Sequence, residues 1–363
     1  MSAACAPRIA PAPASRLLFV TATAANVRQG SGTYVGIAAL RHALRAQGLQ
    51  VGLIAPPRMA AGAWRRLWFN YRVRGRLMRA SADFCALVGF DLDGVFFGGG
   101  AWRHIAAIKG VVAEELQFES GLERASLRLL AELEGRRARR ADRVIATSEY
   151  AAAAIRRHYR VAAERIRVVP ELLDLGAWQG LLDAAPCEPR LRPRLLCVAH
   201  LYPRKDVATL LRALARMRIP AEAHIVGTGP ERKRLCRLAA ELGLEDRVQF
   251  LGHIRRAELA REYRNADLFC HPSRQEGFGI VLLEAMAAGL PVVAARAAAI
   301  PEVVPDGECG RLFDPGSPAG LAGTLEDLLA DAAERARLGA AGRRHATRYD
   351  AERVAREFLA ALA

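Results

Sequence analysis

A chain of 363 residues has room for two domains of ordinary size, each able to bury its own core. Hydrophobic residues make up 52%, yet no run approaches the roughly 18 to 20 uninterrupted apolar residues of a spanning helix. The net charge of +15 calls for an anionic partner, whether nucleic acid, an anionic membrane or the phosphates of a small ligand; finger-type Cys/His spacing and an RNP-like strand are absent, which argues against nucleic acid.

Met1 to Ser15 is rich in Ala and Pro, has Arg8 as its one basic side chain, and lacks the apolar core of a signal peptide. The expectation is a cytoplasmic location. Arg16 to Thr21 reads as a strand, Gly32 to Gln47 as a helix and Gln50 to Ala55 as the next strand, which makes one β-α-β unit. Gly30-Ser31-Gly32-Thr33 opens the helix, where a backbone without side chains can approach a phosphate; an ordinary cap by Ser31 explains it equally well.

Arg58 to Arg79 holds seven arginines and no acids. Trp64, Leu67, Trp68 and Tyr71 fall at i, i+3, i+4 and i+7 of a helix, so one face is apolar and its flanks are cationic. The favoured reading is a surface helix packing its aromatic face on its own domain. The other is a helix resting on an anionic leaflet, where it would admit a lipid-linked acceptor. Asp91-Leu92-Asp93 has a metal-binding D-x-D form but reads better as a loop entering a strand at Gly94 to Phe97, and no metal is expected.

Further strands are expected at Ile105 to Val111, Arg143 to Thr147 and Ile166 to Val169. Gly180 to Pro193, with three prolines and no clear period, looks like a hinge. A second series follows at Arg194 to Ala199, Ala223 to Val226, Val248 to Phe250, Leu268 to His271 and Val292 to Ala295. Asp350 to Ala363 is helical by the spacing of Val354, Phe358, Leu359 and Leu362. Seven cysteines form no C-x-x-C pair, and Cys197 and Cys270 sit in apolar runs as small buried hydrophobes of a reducing compartment.

The segment Pro272 to Ala295, PSRQEGFGIVLLEAMAAGLPVVAA, is the most informative. Glu276 precedes a Gly-Phe-Gly turn, and Glu284 lies eight residues later inside a helix ending at Gly289 and Pro291. A helix start here would aim the N–H groups of Gly277, Phe278 and Gly279 at an anion. Were the segment helical throughout, the carboxylates would stand roughly 12 Å apart, a span suited to the two ends of a nucleotide sugar.

The Glu-Gly-Phe-Gly turn, the small-residue run Ala285 to Gly289 and the Val-Val strand together resemble the signature of glycosyltransferase family 4, the retaining GT-B enzymes. The resemblance runs from Arg16 to Leu362. It includes Arg139 to Ser148, Arg165 to Pro170, Val226-Gly227-Thr228-Gly229-Pro230, Phe250-Leu251-Gly252, Ala266-Asp267-Leu268, Pro301-Glu302-Val303-Val304 and Gly307-Glu308-Cys309-Gly310.

The resemblance implies an α/β, GT-B architecture: two Rossmann-like, doubly wound parallel-sheet domains facing across a cleft. Residues 1–182, completed by a C-terminal helix at 346–363, would bind the acceptor, and residues 183–345 the nucleotide-sugar donor. It implies that Glu284 holds the ribose hydroxyls, Glu276 faces the transferred sugar, and Gly277, Phe278 and Gly279 offer N–H groups to sugar and diphosphate. Lys205 matches the lysine that grips the diphosphate, and Gly32 the contact to the distal phosphate across the cleft.

Two positions depart from the family. His200 stands where an arginine is usual, with Arg204 near enough to compensate, and a ligand role and a structural one remain equally open. Lys109 stands where many relatives have a His-Asp or His-Gly step, as a contact to sugar or phosphate or as an ordinary strand-end lysine. The reaction implied is transfer of a hexose-type unit from a UDP- or GDP-sugar to a hydroxyl acceptor of a glycan, a lipid-linked molecule or a small molecule. Attack would be front-face, with retention and without a metal or other cofactor. The rivals are an epimerase or phosphorylase of related fold and a catalytically silent nucleotide-sugar-binding regulator.

Overall fold

In the computed structural model the described residues are 16–23, 32–57, 63–77, 84–97 and 102–362. Met1 to Ser15, Gly30 and Ser31, and both ends of the basic segment, at 58–62 and 78–79, lie outside them. Six strands form the first sheet: β1 (Arg16–Val20), β2 (Gln50–Ile54), β3 (Ala86–Phe90), β4 (Arg103–Ile108), β5 (Arg143–Ala146) and β6 (Ile166–Val168). Their order is β2-β1-β3-β4-β5-β6, and every pairing is parallel.

The second sheet holds β7 (Arg194–Val198), β8 (Glu222–Val226), β9 (Val248–Gly252), β10 (Leu268–His271), β11 (Val292–Ala295) and β12 (Gly310–Phe313). It runs β12-β11-β10-β7-β8-β9, again all parallel. Helices cover both faces, so inner strands such as β3, β10 and β11 are buried at every residue. This is the expected two-lobed GT-B arrangement of doubly wound sheets. In each sheet the winding reverses once, between β1 and β3 and between β7 and β10, and a crevice opens beyond the carboxyl ends of those strands.

Most expected elements form within a residue or two of their expected ends, with three differences. No strand occupies 94–97: Asp91 to Phe96 is a run of turns, with Asp91 at φ 54° and Gly94 at φ 91°. The strand is the fully buried Ala86–Phe90 just before it. Both runs are short and apolar, and periodicity cannot separate them. The expected hinge begins as helix, because Leu175–Ala184 runs through Gly180. Strand β12 was not anticipated; it opens with a glycine and edges the sheet.

The helix Ala63–Leu77 forms but presents the opposite face to the one expected. Trp64, Trp68 and Tyr71 are 78%, 61% and 67% exposed, so the aromatic face does not pack on its own domain. Asn70, Val73 and Leu77 are buried instead, with Arg66 largely covered beside them. The reason is the Asp91/Asp93 pair, which leaves β3 rather than entering a strand. Arg66 donates to Asp93 at 3.1 Å and Asp91 at 3.2 Å, Asn70 to Asp93 at 2.9 Å, and the Ala22 N–H to Asp93 at 2.6 Å. Buried carboxylates need such partners, and meeting that need sets the rotation of the helix.

The final helix, Ala351–Leu362, packs Val354 and Phe358 against Phe19 and Ile37 beneath the helix Gly32–Ala46. The chain crosses between lobes at Leu173, which bonds the Tyr349 carbonyl and the Ala351 N–H at 3.0 Å each. Cys197 and Cys270 are buried and unbridged, and burial pushes the Cys197 thiol up to about 12.

Candidate functional site

The β7/β10 crevice of the second lobe gathers the principal charges. His271 ends β10, Glu276 sits on the loop after it, and Lys205 closes the short 3-10 turn Pro203–Lys205 after β7. One oxygen of Glu276 accepts from Lys205 Nζ at 2.5 Å and His271 Nε2 at 2.7 Å. Burial alone would raise the carboxyl's pKa, but the Lys205 ammonium and the His271 bond outweigh it, and Glu276 is held well below the usual carboxylate range. With a proton on Nε2, His271 leaves Nδ1 as a buried acceptor without a partner among the described residues. The sequence reading missed His271, although its place at the end of an apolar strand, five residues before Glu276, was a usable signal.

Gly277 shows why that loop must be bare. A Cβ there would stand 2.4 Å from the Lys109 carbonyl oxygen of the first lobe. The Gly277 carbonyl accepts from the Thr147 hydroxyl at 3.0 Å and the Ser148 hydroxyl at 2.9 Å, so the two lobes meet here. The helix Ile280–Ala287 begins only after Gly279, which has φ 97°, so the segment is not helical from Glu276 to Glu284 as the 12 Å span assumed. Phe278 is buried, edge-on to Tyr349 at 5.4 Å, which leaves its backbone rather than its ring for any ligand.

Glu284 lies inside that helix, 3% exposed, away from the Glu276 cluster's partners. Its carboxylate accepts from Arg256 and, at 3.0 Å, from the Tyr263 hydroxyl. Arg256 stacks over Trp178 at 4.1 Å, and Trp178 Nε1 donates to the Glu284 carbonyl at 3.1 Å. Arg256 and Tyr263, from the helix Arg256–Arg264, and Trp178, from Leu175–Ala184, went unnoticed in the sequence because both helices are remote in the chain from the one that carries Glu284. Gly227, at φ 131°, and Gly229 let the loop after β7 cross close by: a Cβ at either would meet the Ala199 or Leu201 carbonyl oxygen at 1.9 and 2.4 Å.

His200 lies on that crossing loop. Partial loss of water around the ring, then the Lys205 and Arg204 charges, lower its pKa, which favours the neutral imidazole over the cation that an arginine would supply. Arg204 pairs with Glu115 of the first lobe at 3.2 Å and lies over Tyr202 at 5.1 Å.

On the first-lobe side, Lys109 follows β4. Its N–H donates to Asp91 at 2.9 Å, and its ammonium pairs with Glu171, beyond β6, at 2.9 Å. Both side chains are nearly buried, so Lys109 is a paired cation at the cleft rather than a free strand-end lysine. Glu171 was not singled out in the sequence. Gly32 begins the helix whose Gly36, one turn on, lies close beside the Glu171 carboxylate, where a Cβ would approach to 2.5 Å. The same Gly36 lies against Ile280 of the second lobe.

The lobes are joined further by Glu302, whose two oxygens accept from the Glu149 and Tyr150 N–H groups at 2.8 and 2.7 Å and so cap the helix Glu149–Tyr159. Nearby Tyr150 donates to Glu114 at 2.5 Å. Glu276, Lys205, Gly277 and Lys109 are thus brought to one place. Glu284 stands in a second cluster, and Arg204 and Phe278 are engaged elsewhere. Among the described residues no group of three or more His, Cys, Asp or Glu is placed to hold a metal ion.

The family model described as Glycosyltransferase Family 4 matches residues 30–176, and that described as Glycosyl transferases group 1 matches residues 188–345. The chain is 38% identical over 223 residues to the MMP alpha-(1->4)-mannosyltransferase of Mycolicibacterium hassiacum, covering 59% of this chain and 52% of that one. It is 41% identical over 162 residues to the GDP-mannose-dependent alpha-(1-6)-phosphatidylinositol monomannoside mannosyltransferase of Mycolicibacterium smegmatis, covering 42% of each. The chain thus spans about half the length of the curated relatives it matches. In fold it is similar to sucrose-phosphate synthase from Thermosynechococcus elongatus, with a TM-score of 0.80 at 22% identity over 95% of this chain and 98% of that one.

Proposed function

The chain belongs to the family 4, group 1 glycosyltransferases, and from that premise we propose that it moves a hexose-type sugar from a UDP- or GDP-sugar to a hydroxyl acceptor, with retention and without a metal ion. The observation that carries this reading is the Glu276 carboxylate, clasped by Lys205 and His271 at the β7/β10 switch point and set against the first lobe at Gly277. The mannosyltransferase relatives support a hexose donor, and the phosphatidylinositol monomannoside relative supports a lipid-linked acceptor.

In this reading Glu276, ionised throughout the neutral range, accepts hydrogen bonds from the sugar's hydroxyls. Lys205 turns toward the diphosphate, which competes with Glu276 for its charge. As the bond from the anomeric carbon to the phosphate oxygen breaks, the departing diphosphate gains negative charge. Lys205, the N–H groups of Gly277 to Gly279 and, from across the cleft, the start of the helix at Gly32 stabilise it there. The acceptor oxygen attacks from the face the diphosphate leaves, and its proton passes to a phosphate oxygen. Glu284 holds the ribose at the other end of the donor, its carboxylate oriented by Arg256 and Tyr263.

The test is to incubate the protein with UDP- and GDP-hexoses and a panel of hydroxyl acceptors, with and without chelator, and to read the anomeric configuration of the product by NMR. The expected outcome is acceptor-dependent release of nucleoside diphosphate, a product with the donor's configuration, and no effect of chelation. Conversion of donor without acceptor, or an inverted product, overturns the reading.

A further inference from the structure

We propose that the outward face of the helix Ala63–Leu77 docks this protein on an anionic lipid surface. Trp64, Trp68 and Tyr71 lie 61–78% exposed along one face, and Phe96 of the Asp91–Phe96 turns joins them at 38%. Together with Leu67 they line one open groove. Single exposed apolar side chains are ordinary on a protein surface, but a contiguous aromatic patch of this kind marks a surface that something covers.

The charge around the patch specifies what covers it. Arg65, Arg72, Arg74 and Arg76 are all exposed, and the helix carries no acidic residue. Arg72 lies 4.7 Å over the Trp68 ring, so cation and indole form one amphipathic unit. Indole and phenol rings favour the level of lipid headgroups, where the ring is buried and its polar edge stays wet. Each arginine near an anionic surface adds roughly fivefold to partitioning. Among the described residues no helix is long and apolar enough to cross a membrane, so contact would be in the interface plane.

The exposure cannot be relieved by turning the helix. Its rotation is fixed by Arg66 and Asn70, which are held by Asp91 and Asp93. Asp91 also accepts from the Lys109 N–H at 2.9 Å. Asp91 thus ties the inward stripe of the helix to the backbone at the end of β4, and the helix is held to the first lobe. The docking stands on exposure and charge alone and is independent of which sugar is transferred.

Flotation with vesicles of phosphatidylcholine, and of phosphatidylcholine mixed with phosphatidylglycerol, tests it with the full chain. The expected result is binding to the anionic vesicles only, falling steeply as salt is raised. The W64A/W68A variant should bind about tenfold or more weakly, and the R72Q/R74Q variant should weaken in step with its lost charges, while both keep the wild-type Tm because all four side chains are exposed. No flotation of wild type at low salt overturns the proposal. So does undiminished flotation of W64A/W68A, which would place the contact elsewhere. Sedimentation equilibrium showing a wild-type dimer that W64A/W68A dissociates would also overturn it, since a second copy would then cover the face.

Discussion

Glu276 illustrates how a buried charge becomes usable. Loss of water around the carboxylate works against ionisation, yet Lys205 and His271 on the same oxygen hold it charged. The ion pair is buried, so removing either partner leaves an uncompensated charge on the other. Replacing Glu276 by alanine is expected to lower kcat/KM on the order of 10²–10³-fold, the range for loss of one preorganised polar group at a reacting centre. Circular dichroism should still report a folded protein, because the helices and strands around the loop do not depend on it. An unchanged rate would remove Glu276 from the site. The position was legible in the sequence from the Glu-Gly-Phe-Gly turn; its dependence on His271 had one weak mark, a histidine ending an apolar strand five residues earlier, and spacing alone does not say which carboxylate that ring meets.

At the scale of elements, the loop after β10 decides how closely the lobes approach. Gly277 sits against the Lys109 carbonyl while its own carbonyl is held by Thr147 and Ser148. A methyl group at 2.4 Å from that oxygen cannot be accommodated without parting the lobes, and backbone on both sides has little freedom to give. Gly277→Ala should therefore leave the Tm nearly unchanged, increase the radius of gyration in solution scattering, and reduce transfer at saturating donor by about tenfold or more, since a misplacement on the order of 1 Å has that effect on reacting groups. Unchanged scattering and rate would show that this contact does not govern closure. The helix Ala63–Leu77 gives the complementary lesson. Its amphipathic spacing was readable in the sequence, but which stripe faces inward was settled by two aspartates more than twenty residues away.

At the scale of the whole molecule, stability carries a pH dependence that originates beneath the first sheet. Glu134 is fully buried, accepts from Tyr159 and, at 3.1 Å, from the Val112 N–H, and is pushed up to about 8 by burial, with Asp91 adding to the shift. The folded protein therefore binds a proton that the unfolded chain, with an ordinary carboxyl at 4.5, releases. Stability is full below that ordinary value and declines as pH rises through the folded one. Between about pH 5 and about pH 9 the wild-type Tm should fall, and Glu134→Gln, neutral throughout, should reduce that fall by a few degrees, on the order of 1 kcal/mol. Equal slopes for the two proteins would mean that Glu134 ionises normally.

The sequence by itself determined the alternation of strands and helices and the two doubly wound sheets, and it marked Glu276 with its glycine turn as the candidate site, because these are local facts: apolar runs of strand length, glycines where a turn needs them, and a charged signature within a single segment. It misplaced one central strand and missed an edge strand, since short apolar runs look alike until a sheet selects among them. Only the tertiary structure decided what each buried charge is paired with. Glu284 with Arg256 and Tyr263, Lys109 with Glu171, and Arg66 with Asp91 and Asp93 each join residues from different elements. Such pairs form because an ion removed from water must find its counter-charge wherever the fold brings one, and sequence spacing holds no record of that distance.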